Sequence, residues 1–183
     1  MSPEIRAFFV FMLTRNVAFV LFIGLLIPVI NAHPIRTTFG TALKHAVALL
    51  IAALIGLAGA AILPPAARFA EPALFFLLTL PIIRILQAWG ELKGEWGGIP
   101  RSLLAYIPYT GIMLHLRAAN LDGLESVTAA FGAATGYYLA FVLIAAVTEQ
   151  IRLSEANRLY KGLATLLFAI AIFAIALTGF PFA

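Results

Sequence analysis

Phe39 and Gly40 open the stretch FGTALKHAVALLIAAL, residues 39–54, and Phe131 and Gly132 open FGAATGYYLAFVLIAAV, residues 131–147. Each begins Phe-Gly, runs into alanine and continues as a long apolar segment. Each also follows a hydrophobic stretch interrupted by proline and glycine. FIGLLIPVINAHP, residues 22–34, precedes the first, and AYIPYTGIML, residues 105–114, precedes the second. Interrupted hydrophobic segments at matching positions in two halves point to a membrane protein that works at its midplane.

Composition points the same way. Of the 183 residues, 63% are hydrophobic and only 11% are charged. A soluble domain of this size cannot bury so much apolar surface. Several runs approach the roughly 20 apolar residues that cross a bilayer. The reading is an all-α integral membrane protein, a single domain over residues 1–183. Six transmembrane helices are expected at about residues 8–31, 41–63, 72–90, 99–119, 126–148 and 160–180. They form two three-helix repeats, about 8–90 and 99–180. The first segment, with Arg15 and Asn16 inside it, is not expected to be a cleaved signal.

The first and fourth helices read as broken, near Gly24 and Pro28 and at Pro108 and Gly111. Such breaks free backbone groups that lipid cannot satisfy, so they persist only inside protein or along a wet cavity. A proline kink is the plainer reading of either break alone. The matched pair turns the reading toward a midplane feature.

Basic residues set the orientation. Arg36, Lys44, Arg84, Lys93, Arg101, Arg152, Arg158 and Lys161 fall in or beside the odd loops, whereas Arg6, Arg68 and Arg117 fall on the other side. The odd loops are therefore expected in the cytoplasm and both termini on the periplasmic side of a bacterial inner membrane. A repeat of three helices then inverts its second copy. The net charge of +4 reflects this topology rather than nucleic-acid binding. The third loop, GELKGEWGGIPR, residues 90–101, is the most polar part of the chain. It reads as a docking surface for a cytoplasmic partner or as a solvated connector.

Polar groups inside spans are costly and tend to be functional. The candidates are Arg15 and Asn16 in the first span, Arg84 and Gln87 in the third, Thr110 beside the second break, and Glu149 at the end of the fifth. Arg84, Glu149 and Arg152 also suit interfacial anchoring. Arg15 needs a carboxylate or carbonyl partner, and Glu4 is the nearest acid in sequence. His33, His45 and His115 show no metal spacing. A lone membrane histidine is able to ligate haem or a chlorin magnesium, but an ordinary polar role is the simpler reading. There is no catalytic triad, phosphate loop or carboxylate pair. The small residues Gly56, Ala58, Gly59 and Ala60, and Gly132, Ala133, Ala134 and Gly136, suit close helix packing.

Three stretches carry a family resemblance: TRNVAFVLFIGLLIPVINAHPIRTTFG at residues 14–40, SLLAYIPYTGIMLHLRAAN at 102–120, and GYYLAFVLIAAVTEQIRL with KGLATLLFAIAIFAIALTGF at 136–153 and 161–180. Together they resemble the Rnf/Nqr membrane subunits, most closely the RnfA/NqrE branch. The resemblance implies a subunit paired with a homologue of opposite orientation, their broken helices meeting at a shared [2Fe–2S] cluster. It implies electron relay between cytoplasmic and outer flavin or iron–sulfur subunits, coupled to sodium or proton movement. Leu26 and Gly111 occupy the positions of the two family cysteines. The chain has no cysteine at all, so it supplies no thiolate to a cluster. No catalytic or metal residue carries over.

The expected function is a membrane subunit of an Rnf/Nqr-like electron-transfer, ion-translocating complex, acting as scaffold or ion path. Two other classes stay open. One is a cysteine-free accessory subunit of another respiratory or photosynthetic complex, with lipid, quinone or pigment against aromatic residues such as Phe75, Phe76, Tyr106, Tyr109, Tyr137 and Tyr138. The other is a small secondary transporter, for which the spans offer few acidic residues. The expected partners are membrane lipids and other membrane subunits, and not nucleic acid.

Overall fold

A computed structural model describes residues 2–30, 35–153 and 163–179. His33, Arg158 and Lys161 lie outside the described residues. The chain begins with α1, Pro3–Phe9, where the Ser2 hydroxyl caps the Ile5 amide and Pro3 pre-sets the first turn. A π-helical turn, Val10–Thr14, continues it. After an irregular stretch comes the short α2, Leu26–Ile30. Then follow α3, Ile35–Ile62, a 3₁₀ segment, Pro65–Ala70, and α4, Glu71–Ala88. A small antiparallel hairpin of β1, Glu95–Trp96, and β2, Ile99–Pro100, fills the third loop. The second half holds α5, Arg101–Leu104, α6, Tyr106–Ala118, α7, Gly123–Leu153, and α8, Leu163–Thr178.

The fold is all-α apart from that hairpin. Among the described residues, three helical stretches are long and apolar enough to cross a membrane: Arg36–Ile62, Ala66–Ala88 and Gly123–Leu153. The 13 residues of α6 rise only about 20 Å, short of a hydrocarbon core of about 30 Å. The first expected span is not one helix, because the chain leaves helical geometry after Thr14.

The fourth differs from expectation in another way. Pro108 and Gly111 do not interrupt a helix; α6 runs through both. The interruption is the single residue Ala105 between α5 and α6, and its amide still reaches the Arg101 carbonyl at 3.1 Å. Pro108 is third in α6, where a backbone N–H has no intrahelical acceptor, so its missing donor costs nothing.

Ion pairs fix the sense of the helices. Lys44, near the start of α3, meets Glu91, just after α4, at 2.6 Å. Glu71, at the start of α4, meets Arg117, near the end of α6, at 3.2 Å. Pro3 and Arg6 share a cavity with Ala119 and Glu125, while Trp96 of the hairpin shares one with Leu167 of α8. Successive segments therefore run end to end through the bundle in alternating directions.

The helices α3 and α7 cross at the centre. On α7 pack α1, the π turn and α8; on α3 pack α6 and α4. Some contacts of one half have a counterpart in the other. The pair α1–α7 maps to α6–α3, α3–α4 maps to α7–α8, and α4–α6 maps to α8 against the π turn. Close approach depends on small residues. At Gly132 a side chain would collide with the Phe8 carbonyl, and at Gly136 a Cβ would lie 2.5 Å from the Met12 carbonyl. At Gly56 it would lie 2.5 Å from the Met113 side chain. The large buried residues are aromatic and aliphatic, with Tyr109, Tyr137, Phe11, Phe19, Phe75 and Phe141 fully enclosed. Outward, α8 leaves Phe168, Ile172 and Ile175 exposed in one apolar stripe.

Candidate functional site

The irregular stretch after Thr14 is organised by Asn16. Its side-chain amide donates to the Met12 carbonyl at 2.8 Å, and its oxygen accepts from the Ala18 and Phe19 amides at 3.0 and 3.1 Å. Asn16 is buried. Its side chain supplies the partners that helix would have given, so its role is that of a cap, not a reacting group. The chain then turns through Phe22 at φ 55° and Gly24 at φ 85°. Glycine enters this left-handed region freely, whereas phenylalanine does so at a cost, one of the conformations that only surrounding structure maintains.

The turn delivers Ile23 and Gly24 to α6. A Cβ on Gly24 would sit 2.5 Å from that of Pro108, and a Cβ on Gly111 would strike the Ile23 side chain. The two proline–glycine stretches singled out in the sequence are thus in direct contact. Gly24, Pro108, Gly111 and Ile23 all belong to that contact. Pro28 is buried in α2, one turn away.

Two buried hydrogen bonds flank it. Tyr137 of α7 donates to the Gly24 carbonyl at 3.2 Å. His45 of α3 places Nδ1 2.6 Å from the Tyr109 hydroxyl of α6. Each bond runs from a long central helix to the proline–glycine stretch of the other half. His45 and Tyr137 each lie six residues after the phenylalanine of the Phe-Gly pair. Phe141 bridges them, with its ring centroid 5.4 Å from His45 and 6.1 Å from Tyr137. The His45 Nε2 is buried without a hydrogen-bond partner.

Thr110 bonds Thr79 of α4 at 3.0 Å, and Thr79 in turn bonds the Phe75 carbonyl at 2.8 Å. Since the Thr79 proton is used on Phe75, Thr110 is the donor between the hydroxyls. This chain ties α6 to α4.

The other candidates are scattered. The Arg15 guanidinium lies over the Phe11 ring, 5.9 Å from its centroid, rather than on Glu4. Arg84 is exposed on α4, and Glu149 is partly buried far along α7. His115 packs its ring 5.1 Å from Phe11, with Nε2 buried and unpartnered. Sequence reading missed Thr79 and the ion pairs of Glu71 and Glu91. It noted Tyr109 and Tyr137 only as aromatic residues. A tyrosine hydroxyl in an apolar helix must find an acceptor, and that was the signal available.

The centre has no nucleophile activated by a base, and no group of three metal-binding side chains occurs among the described residues. A thiolate-held cluster does not fit. There is no cysteine, Ile23 occupies the space at Gly111, and Leu26 lines an apolar cleft with Phe22, Trp96 and Leu167 instead of facing Gly111. What the arrangement does is tie the irregular stretch after Thr14 and α6 to the central helices through buried hydrogen bonds, where such bonds are strong and unmade ones costly. No protein-family model matches the chain, and no curated protein matches it either.

Proposed function

We propose that the chain is a membrane scaffold subunit of an Rnf/Nqr-like electron-transfer, ion-translocating assembly. In this reading it crosses a bacterial inner membrane six times as two inverted three-helix repeats. One observation supports it: several contacts of one half have counterparts in the other, among them the bonds His45–Tyr109 and Tyr137–Gly24. Inverted repeats whose broken segments meet at the centre are the architecture of membrane proteins that act at the midplane. The charge distribution supports the same topology. Lys44, Lys93 and Arg101 lie at the end where α3 and α6 begin, and Arg6, Arg68 and Arg117 at the other. The first end is then cytoplasmic and both termini are periplasmic.

The scaffold role follows from how the centre is filled. Ile23, Pro108 and Phe141 occupy it, and the Tyr109 and Tyr137 hydroxyls are spent on His45 and the Gly24 carbonyl. Electrons would pass through cofactors held by other chains, with this subunit framing them.

Purification of the tagged chain from its native membrane in mild detergent, followed by mass spectrometry, tests the proposal. Flavin and iron–sulfur subunits in fixed ratio support it. Recovery alone, or as a homo-oligomer, overturns it in favour of transport. Recovery inside a different large complex overturns the redox assignment and leaves an accessory subunit.

A further inference from the structure

A cavity of about 390 Å³ opens where the start of α1 meets the α6–α7 connection. Arg6, Thr14, Arg15 and Glu125 line it, against an apolar wall that includes Phe11 and Leu121. Arg15 springs from the end of the π turn, deep along the first segment. Its guanidinium nevertheless reaches back over Phe11, four residues nearer the chain start, and enters this cavity. A long cationic side chain takes this path to leave the apolar interior for a polar level. Among the described residues, Arg15 and Glu125 take part in no ion pair. Charges of both signs therefore face one amphipathic cleft without neutralising each other.

We propose that this cleft binds the headgroup of a zwitterionic phospholipid bearing a primary ammonium group. Arg15 takes the phosphate through charge-assisted bonds. Glu125 accepts from the ammonium. The wall at Phe11 and Leu121 takes the glycerol and the first methylenes of the chains. A purely anionic headgroup meets Glu125 unfavourably, and a quaternary ammonium has no N–H to give it. Charge complementarity thus selects phosphatidylethanolamine over phosphatidylglycerol and phosphatidylcholine. The apolar wall selects a lipid over a free headgroup. The inference rests on the membrane reading but not on the redox assignment.

Native mass spectrometry of the full chain in detergent, with each of the three lipids added in turn, tests it. The expected result is retention of phosphatidylethanolamine several-fold above the other two. Glu125→Gln should level phosphatidylethanolamine with phosphatidylcholine. Arg15→Gln should weaken every phospholipid about tenfold, and Arg15→Lys should restore most of that binding. Arg68→Gln, exposed outside the cleft, should change nothing, and each variant must elute as one monodisperse peak. Equal retention of the three lipids by the wild type overturns the proposal, as does indifference to Arg15→Gln. Binding of soluble glycerophosphoethanolamine as tightly as the lipid overturns the lipid source. A chain that stays monodisperse without detergent sinks the membrane reading itself, a separate failure.

Discussion

Gly40 and Gly132 hold the same place in the two Phe-Gly helices, yet they do opposite things. Gly132 faces the backbone of α1 so closely that a methyl group would collide with the Phe8 carbonyl. Gly40 is exposed, with no atom within 4 Å of where its Cβ would stand. The halves differ likewise at their breaks. The first departs from helix over residues 15–25 and needs Asn16 and a left-handed Phe22 to hold it. The second is one residue, Ala105, between helices. The matching Phe-Gly openings therefore do not have matching surroundings. What does recur is the polar link six residues after each phenylalanine.

The sharpest way to break this comparison is the same substitution at both glycines. Gly132→Ala should destabilise by about 3 kcal/mol, because the obstructing atom is backbone and cannot swing aside. Gly40→Ala should stabilise by about 0.5–1 kcal/mol through helix propensity alone. Unfolding of the detergent-solubilised protein, followed by circular dichroism, measures both. Equal responses at the two sites would mean that α1 does not approach α7 as described.

The contrast between the breaks is tested next. Asn16→Ala removes three hydrogen bonds and strands two buried amides, so a loss of about 2 kcal/mol is expected. A loss within about 0.5 kcal/mol, as for an ordinary surface change, would mean that water or another group replaces the cap.

The polar links come third. Interhelical hydrogen bonds in membranes average about 0.6 kcal/mol, with a maximum near 1.7. Tyr109→Phe should reach the upper part of that range, because it leaves His45 with neither ring nitrogen bonded. Tyr137→Phe, whose partner is one carbonyl, should cost about 0.6 kcal/mol. The reverse order in thermal unfolding would show the His45 link to be the weaker of the two.

Much of the first half of this argument was legible in the sequence. Long apolar helices at residues 39–54 and 131–147, close packing at Gly56, Gly132 and Gly136, and the importance of residues 22–34 and 105–114 all came from composition and punctuation. The helix ends did not. Pro108 reads as a breaker in isolation, yet in the third position of a helix it is well placed. Arg15 reads in sequence as needing a carboxylate or carbonyl partner, whereas an aromatic face four residues back takes its guanidinium. Glu71 and Arg117 are 46 residues apart, and only the fold brings them together. There is a physical reason for this division. In a soluble helix the hydrophobic period tells which face is buried. In α7 nearly every face is apolar, so the pattern that would assign contacts is missing, and Asn16 was read as a functional polar group instead of a cap.

The smallest expected effects compare the two ends of the bundle. Lys44 reaches Glu91 with one contact of 2.6 Å and keeps much of its own side chain in water. Arg117 instead directs Nε between both Glu71 oxygens at 3.2 Å, tying α4 to α6. Exposed ion pairs contribute about 0–1 kcal/mol and are screened by salt. The Glu71 and Glu91 side chains are almost equally buried, so the forked contact is what places the Arg117 pair at the top of that range. Arg117→Gln should therefore cost about 1 kcal/mol, and Lys44→Gln about 0.3 kcal/mol. Raising the salt concentration to 1 M, where the Debye length is near 3 Å, should reduce the Lys44 difference more than the Arg117 one, because Lys44 is the more exposed cation. Equal salt sensitivity at the two ends would mean that Glu71 is as wet as Lys44, and that α4 and α6 are held at that end by apolar packing alone.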